Sequence, residues 1–208
     1  MRNILLLPVV LALSIVGMAQ TVQQTIDDGI LDHIELLQEK LLSASESVVV
    51  VRPFDASGAN LGTGGKDGKQ ARQDEAKLMQ QQGPALLAET IASKLSKGGG
   101  FKSASVATSA DLPDHALIVE GTFVTIDPGS RAKRYFAGFG AGKSSVEVSG
   151  HVNDSHGLVL ARFRQRRIGV MGMGGGDSLG KMMSDTRGLG EDIAKFLTAW
   201  ARGEKLKD

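Results

Sequence analysis

The stretch Ser144–Ile168, SSVEVSGHVNDSHGLVLARFRQRRI, decides how the chain is read. Valines stand at 146, 148 and 152, with Glu147, Ser149 and His151 at the positions between them. A two-residue period marks a half-buried strand, because successive side chains on a strand point to opposite faces. Asp154-Ser155-His156-Gly157 then supplies a four-residue connection of turn-forming residues, so 144–153 and 158–168 read as a hairpin. With residue 153 facing 158, one side carries Val146, Val148, Gly150 and Val152 opposite Gln165, Phe163, Ala161 and Val159. The other side carries Glu147 and Ser149 opposite Arg164 and Arg162. Apolar meets apolar and Glu147 meets Arg164, so both strands favour one register. The alternation stops at Arg166-Arg167, where a bulge or a strand end is expected.

The same hairpin disposes of a tempting motif. Ala137–Ser144, AGFGAGKS, fits a relaxed phosphate-loop pattern with Ala in place of its first Gly. Such a loop needs a helix immediately after it, whose N-terminal N–H groups hold the phosphates. A strand follows here instead, so neither a nucleotide nor any other cofactor is expected.

Outward from the hairpin, strands and helices alternate. Val48–Val51 is a β-branched run ended by Pro53, giving a strand over 48–54 buried on both faces. Phe101–Ala107 and the apolar run 116–126 (ALIVEGTFVTI) are two further strands, the second central. Ile26, Ile30, Ile34, Leu37 and Leu41 recur every three or four residues and predict an amphipathic helix over 26–42. Residues 73–97 predict a helix kinked or split at Gly83-Pro84, with Gly98-Gly99-Gly100 as its stop. Asp177 is the expected N-cap of a last helix over 178–201, which Gly188 and Gly190 could divide. The segment 55–70 holds five glycines and reads as an exposed loop. The fold class is therefore α+β or α/β. A single domain over 45–201 has a mixed sheet of about five strands packed against the three helices, a helical segment over 20–44 and a charged tail over 202–208.

Composition sets the class and the expected compartment. The chain has 208 residues, 41% of them hydrophobic and 23% charged, which excludes wholesale disorder. Only 4% are aromatic, so the core must be mostly aliphatic. Arg2, the apolar run Ile4–Val16 and the small residues Gly17 and Ala19 read as a secretory signal peptide over 1–19, cut between Ala19 and Gln20. The run falls short of the roughly 20 apolar residues of a membrane-spanning helix, and no other segment approaches that length. An exported, periplasmic or secreted protein is expected. There is no cysteine, so neither a disulfide nor a lipid attached through cysteine is expected. Without Arg2 the basic and acidic residues balance, giving no overall attraction to nucleic acid.

Catalytic patterns are sparse. His151 and His156 flank the hairpin turn, one on a strand face and one in the turn, which does not favour the three or four converging ligands of a metal site. His33 lies among acidic neighbours and is expected to face solvent. No nucleophile motif and no cysteine nucleophile is present. Charge is more suggestive. Between 127 and 168 stand Arg131, Lys133, Arg134, Lys143, Arg162, Arg164, Arg166 and Arg167, opposed only by Asp127, Glu147 and Asp154. The hairpin places Arg162, Arg164 and Arg166 on one face. Arg131, Lys133, Arg134, Arg162, Arg164 and Arg166 are the candidate contacts for an anion or an acidic partner. The alternative is a solvated sheet face with Arg164 paired to Glu147.

Three pieces of the sequence carry a resemblance: Val119-Glu-Gly-Thr-Phe123, then the run from Asp127-Pro-Gly through Arg131 and Arg134 to Gly142-Lys-Ser144, then Val146-Glu-Val148. Together they resemble the bacterial envelope family called domain of unknown function 4410. Val48–Asp55 (VVVVRPFD) is more distantly similar to the opening of the small α/β domains of TolB and curli-secretion proteins. The resemblance implies an envelope location and supplies no catalytic residues. Many family members are lipoproteins, but this chain lacks the cysteine that would be lipidated, so that anchor is not carried over. The expected function is a non-enzymatic interaction or assembly module of the cell envelope, partnered by an envelope protein or an anionic envelope component. The alternatives are a binding protein for an anionic small molecule or lipid headgroup, using the glycine-rich turn 138–142 with Arg131 and Arg134, and an uncharacterised enzyme.

Overall fold

The computed structural model describes residues 21–39, 41, 44–62, 69–107, 113, 115–129, 143–169 and 177–207. The expected signal peptide, its Ala19–Gln20 cleavage site and the glycine-rich turn 138–142 lie outside the described residues.

One mixed sheet of seven strands organises the chain. The strands are β1 (Gln24–Asp27), β2 (His33–Leu36), β3 (Val48–Val51), β4 (Ser103–Val106), β5 (Ala116–Asp127), β6 (Ser144–Asn153) and β7 (Val159–Gly169), in the spatial order β1-β2-β7-β6-β5-β3-β4. The helices α1 (Lys69–Gly98) and α2 (Ser178–Arg202) pack on each other and on one sheet face. Strand β3 is parallel to both of its neighbours, while the other pairs are antiparallel. The domain is thus α+β.

The expected hairpin forms, with its register moved by two residues. Ser149 faces Arg164, Gly150 faces Phe163 and Val152 faces Ala161. The turn is longer than four residues: Asp154 N–H donates to the Leu158 carbonyl, and a bulge at Val152/Asn153 takes up the remainder. An even slip keeps every side chain on its predicted face, whereas a slip of one would have inverted both strands. The strand also runs past Arg166-Arg167 without a break. Arg167 lies on the inner face, where its guanidinium meets Asp192 of α2 at 2.8 Å. A Cβ on Gly188 would fall 2.4 Å from that guanidinium, so this glycine lets the helix pass over the arginine rather than dividing the helix.

The predicted helix over 26–42 does not exist. β1 and β2 form a hairpin that adds to the edge of β7, with Ile26 opposite Ile34 and Ile34 opposite Phe163. An eight-residue spacing fits both a helix face and two partners across a tight hairpin. Asp28, with φ +53°, breaks the helical option, and burial of Ile26, Leu31, Ile34 and Leu36 holds the sheet. Among the described residues the domain therefore has seven strands and two α-helices, where about five strands and three helices were expected.

Helix α1 runs unbroken through Pro84 for 30 residues. Proline removes one helical hydrogen bond at a cost of about 3 kcal/mol. Burial of Ala76 and Met79 before it, and of Leu87, Ala88, Ile91, Ala92 and Leu95 after it, keeps both halves on one line. Asp177 makes no side-chain cap on α2; Ser178 at the same end bonds to the Glu75 carboxylate instead. At its other end Gly203, with φ +64°, and Glu204 donate back to Trp200 and Ala199. The tail then returns to the sheet, with Ile30 N–H bonded to the Leu206 carbonyl and Leu206 buried.

Phe163 rests on Gly150 at the middle of this core. A Cβ at position 150 would lie 2.5 Å from the ring. Gly150→Val should therefore cost about 3 kcal/mol or more through overpacking. Gly157→Ala, in open space at φ +84°, should cost only about 1–2 kcal/mol. Urea unfolding of the two variants checks this; equal losses would show that the ring does not need the glycine.

Candidate functional site: the open face of the sheet

The strand side chains that point away from the helices are mostly polar, and the register aligns them into rows. Glu35 faces Arg162, Arg162 faces His151, and His151 faces Glu120, across β2, β7, β6 and β5. Arg52, just after β3, closes this row with its Nη1 2.7 Å from Glu120 Oε2. A second row runs Asp27, His33, Arg164, Ser149, Thr122 and Asp55. In a third, Arg166 faces Glu147 and Glu147 faces Thr125.

These rows bring opposite charges together. Arg164 pairs with Glu147, as the hairpin reading expected, and Arg166 approaches the same carboxylate at 3.9 Å. The Glu147 side chain is only 6% exposed, while those of Arg164 and Arg166 are 59% and 49% exposed. The carboxylate is a buried hinge from which two guanidinium groups reach into solvent. Arg162, 48% exposed, lies 3.5 Å from Glu35. The candidate residues Arg162, Arg164 and Arg166 thus share one face at every second position of β7, each with a carboxylate within 4 Å. Arg131, Lys133 and Arg134 lie outside the described residues.

Glu120 is the best-connected acid. It accepts from Arg52, from Asn153 Nδ2 at 3.0 Å, and pairs with His151 Nε2 at 3.1 Å. Burial alone would raise its pKa, but the bonds from Arg52 and His151 outweigh this and hold it below the ordinary 4.5. A shallow cleft of about 360 Å³ opens beside this cluster, lined by Arg52, Asp55, Glu120, Thr122, Ser149 and His151 and floored by Gly121 and Gly150. His33 bonds Asp27 at 2.5 Å and Glu35 at 3.5 Å. The bond to Asp27 raises its pKa above 6.5; partial burial opposes this, and Glu35 reinforces it.

Sequence reading missed Arg52, Glu120, Glu35 and Asp27 as members of this surface. The one available signal was Glu120, a lone acid inside an apolar strand. His33 has the acidic neighbours expected of it, but on a strand. His151 stands on the open face and His156 in the turn, and among the described residues no three His, Asp or Glu side chains are arranged to hold a metal ion. Ser144 opens β6, so no helix follows the Lys143-Ser144 pair of the phosphate-loop look-alike. Among the described residues no helix is long and apolar enough to cross a membrane.

The fold and this face define a two-layer α+β domain with an open, charge-laddered sheet. The chain belongs to the family described as domain of unknown function (DUF4410), whose profile matches residues 49–173. Comparison with curated proteins finds no match. Among solved structures, the chain is similar to the PelC dodecamer from Paraburkholderia phytofirmans, at 12% identity over 76% of this chain and 96% of that one, with a TM-score of 0.40. A variant PelC dodecamer in another space group gives 17% identity, 83% and 97% coverage and 0.39. A crystal structure titled as an uncharacterized protein gives 11% identity, 74% and 99% coverage and 0.44. The named neighbours do not include TolB or a curli-secretion protein.

The His33 cluster gives a pH dependence with a definite sign. The folded state favours the protonated ring. Its contribution is complete below pH 6.5 and is lost as pH rises through the raised folded value. The stability difference between the wild type and His33→Gln should be about 0.5 kcal/mol larger at acidic than at alkaline pH, since the ring is partly exposed. Urea titrations at pH 5.5 and 8.5 measure it; a larger difference at alkaline pH would refute the assignment.

Proposed function

We propose that the protein is exported and works as a non-enzymatic interaction or assembly module of the cell envelope, with the arginine row of β7 as its contact surface. The observation that carries this reading is the half-exposed row Arg162, Arg164 and Arg166 on a sheet face that neither helix covers. Side chains two apart on a strand repeat about every 6.8 Å, taking roughly 3.4 Å per residue. The row therefore offers three charge-assisted donors in line to carboxylates or phosphates of an envelope protein or an anionic envelope component. Buried Glu147 holds two of these guanidiniums in place, which lowers the ordering cost of binding. The apolar N-terminal run supports export.

In-cell cross-linking followed by capture of the full chain tests the proposal. The wild type should be recovered from the periplasmic or envelope fraction, starting at Gln20, with a discrete cross-linked partner. Arg162→Gln/Arg164→Gln/Arg166→Gln, checked for unchanged circular dichroism, should lose at least tenfold of that partner. Full retention by the triple variant would overturn the contact surface, and an intact cytoplasmic chain would overturn export.

A further inference from the structure

The open face carries its charges in an order that mirrors itself, with signs exchanged, on the two sides of β6. Along the first row stand Glu35 on β2, Arg162 on β7, His151 on β6, Glu120 on β5 and Arg52 after β3. His151 is the centre. One place out, Arg162 on one side answers Glu120 on the other. Two places out, Glu35 answers Arg52. The second row repeats this around Ser149: His33 stands two places out on the β2 side, and Asp55 two places out beyond β5. One place out in that row, Arg164 answers the uncharged Thr122.

The relief of the face follows the same line. On the β7 side the Arg162 and Arg164 side chains stand half-exposed. On the β5 side lies the cleft lined by Arg52, Asp55, Glu120, Thr122, Ser149 and His151. Ridge and hollow are each one strand from β6, in opposite directions. In an isologous contact residue i meets j and j meets i, so a two-fold axis requires this kind of exchange.

We propose that two copies of this chain pack open face against open face about a two-fold axis running along β6. This rests on the reading of the arginine row as a contact surface and names its partner. The rotation lays each row on its own reverse. Arg162 and Arg164 of one copy then enter the cleft beside Glu120 and Thr122 of the second copy. Glu35 and Arg52 pair across the rim, and His33 meets Asp55. In these two rows only His151 and Ser149 face their own counterparts. In the third row Glu147 lies on the axis, but it is buried and already paired with Arg164 and Arg166. Five strands about 4.8 Å apart and three rows about 6.8 Å apart give on the order of 1,000 Å² over both copies, the low end of specific interfaces.

Sedimentation equilibrium of the purified protein tests the dimer. Reversible association with a dissociation constant of about 10–100 µM is expected, weakened about tenfold between roughly 0.05 and 0.5 M salt. Glu35→Arg and Arg52→Glu should each associate at least tenfold more weakly, since each sets like charges across the rim twice. An equimolar mixture of the two should recover wild-type affinity, because both rim pairs are again opposite in sign; circular dichroism checks that each variant is folded. The chain has no cysteine, so Ser149→Cys places a single thiol at the axis, and a short bis-maleimide should link two copies through it. Ser103→Cys, exposed on edge strand β4, should stay unlinked. A monomer at every concentration, a mixture no tighter than its components, or linking through Ser103→Cys in preference to Ser149→Cys would each overturn the dimer. If the protein is monomeric while Arg162→Gln/Arg164→Gln/Arg166→Gln still loses a cross-linked partner of another mass, the dimer fails and the arginine contact surface stands.

Discussion

The packing of Phe163 on Gly150 is the contact on which the rest of the structure depends. Gly150 faces Gly121 on β5 and Phe163 on β7, so the centre of the sheet has two adjacent positions without side chains. Two rings fill that space: Phe163 lies against Gly150, and Phe54 lies against Gly121, 2.7 Å from where its Cβ would be. The ring centroids of Phe54 and Phe163 are 6.4 Å apart, Phe196 follows at 6.0 Å, and Trp200 stacks on Phe196 at 5.8 Å. The chain has only seven Phe, one Tyr and one Trp. Four of those nine aromatics form this single line. It joins the residues after β3, the middle strand pair and the whole C-terminal half of α2. Trp200 then donates to the Glu39 carbonyl at 3.2 Å, which ties the N-terminal hairpin to the same line.

That line also settles what the opposite face can be. Phe163 fixes β7 against β6, and with the pairing fixed, every outward residue of β7 has a defined opposite number. Arg166 is then opposite Glu147, Arg164 one pair along and diagonal to it, and Arg162 opposite His151 by register, not by the search of long side chains across a surface. Exposed ion pairs are individually worth little, about 0–1 kcal/mol, because ordering two flexible side chains offsets most of the attraction. Here the backbone and the aromatic core have already absorbed much of that ordering. The rows are thus better regarded as a consequence of the fold than as its support, and this leaves their outer halves available for contact.

The strands and the final helix were legible because their signals are local. Valines at every second residue of β6 identify a strand whatever lies elsewhere, and the two-residue error in register came from a turn whose hydrogen bonds the sequence does not announce. The N-terminal segment was illegible for a different reason. Ile26 and Ile34 sit eight apart, a distance that a helix and a hairpin satisfy equally, and only docking on Phe163 decides between them. Pro84 misled in the opposite direction, since a local penalty was overridden by burial of residues on both sides of it.

The open face shows most clearly where local reading ends. Counted along the sequence, the arginines of β7 belong to a strongly basic stretch. Counted in space, Arg162 meets Glu35, 127 positions away, and Arg52 meets Glu120, 68 positions away. The acids that temper the arginines come from β2, β5 and β6, so a sliding count of charge finds a patch where the sheet has built an alternating lattice. Recognition by such a lattice differs from recognition by a bare basic surface. A diffuse polyanion gains from arginines and loses against Glu35, Glu120, Asp27 and Asp55, which lie in the same rows. A partner with its own spaced charges can match both signs, and like-charge juxtaposition rejects one out of step. If the face is the proposed contact surface, its alternating charges would suit a partner of fixed shape in one register better than non-specific adhesion to an anionic surface.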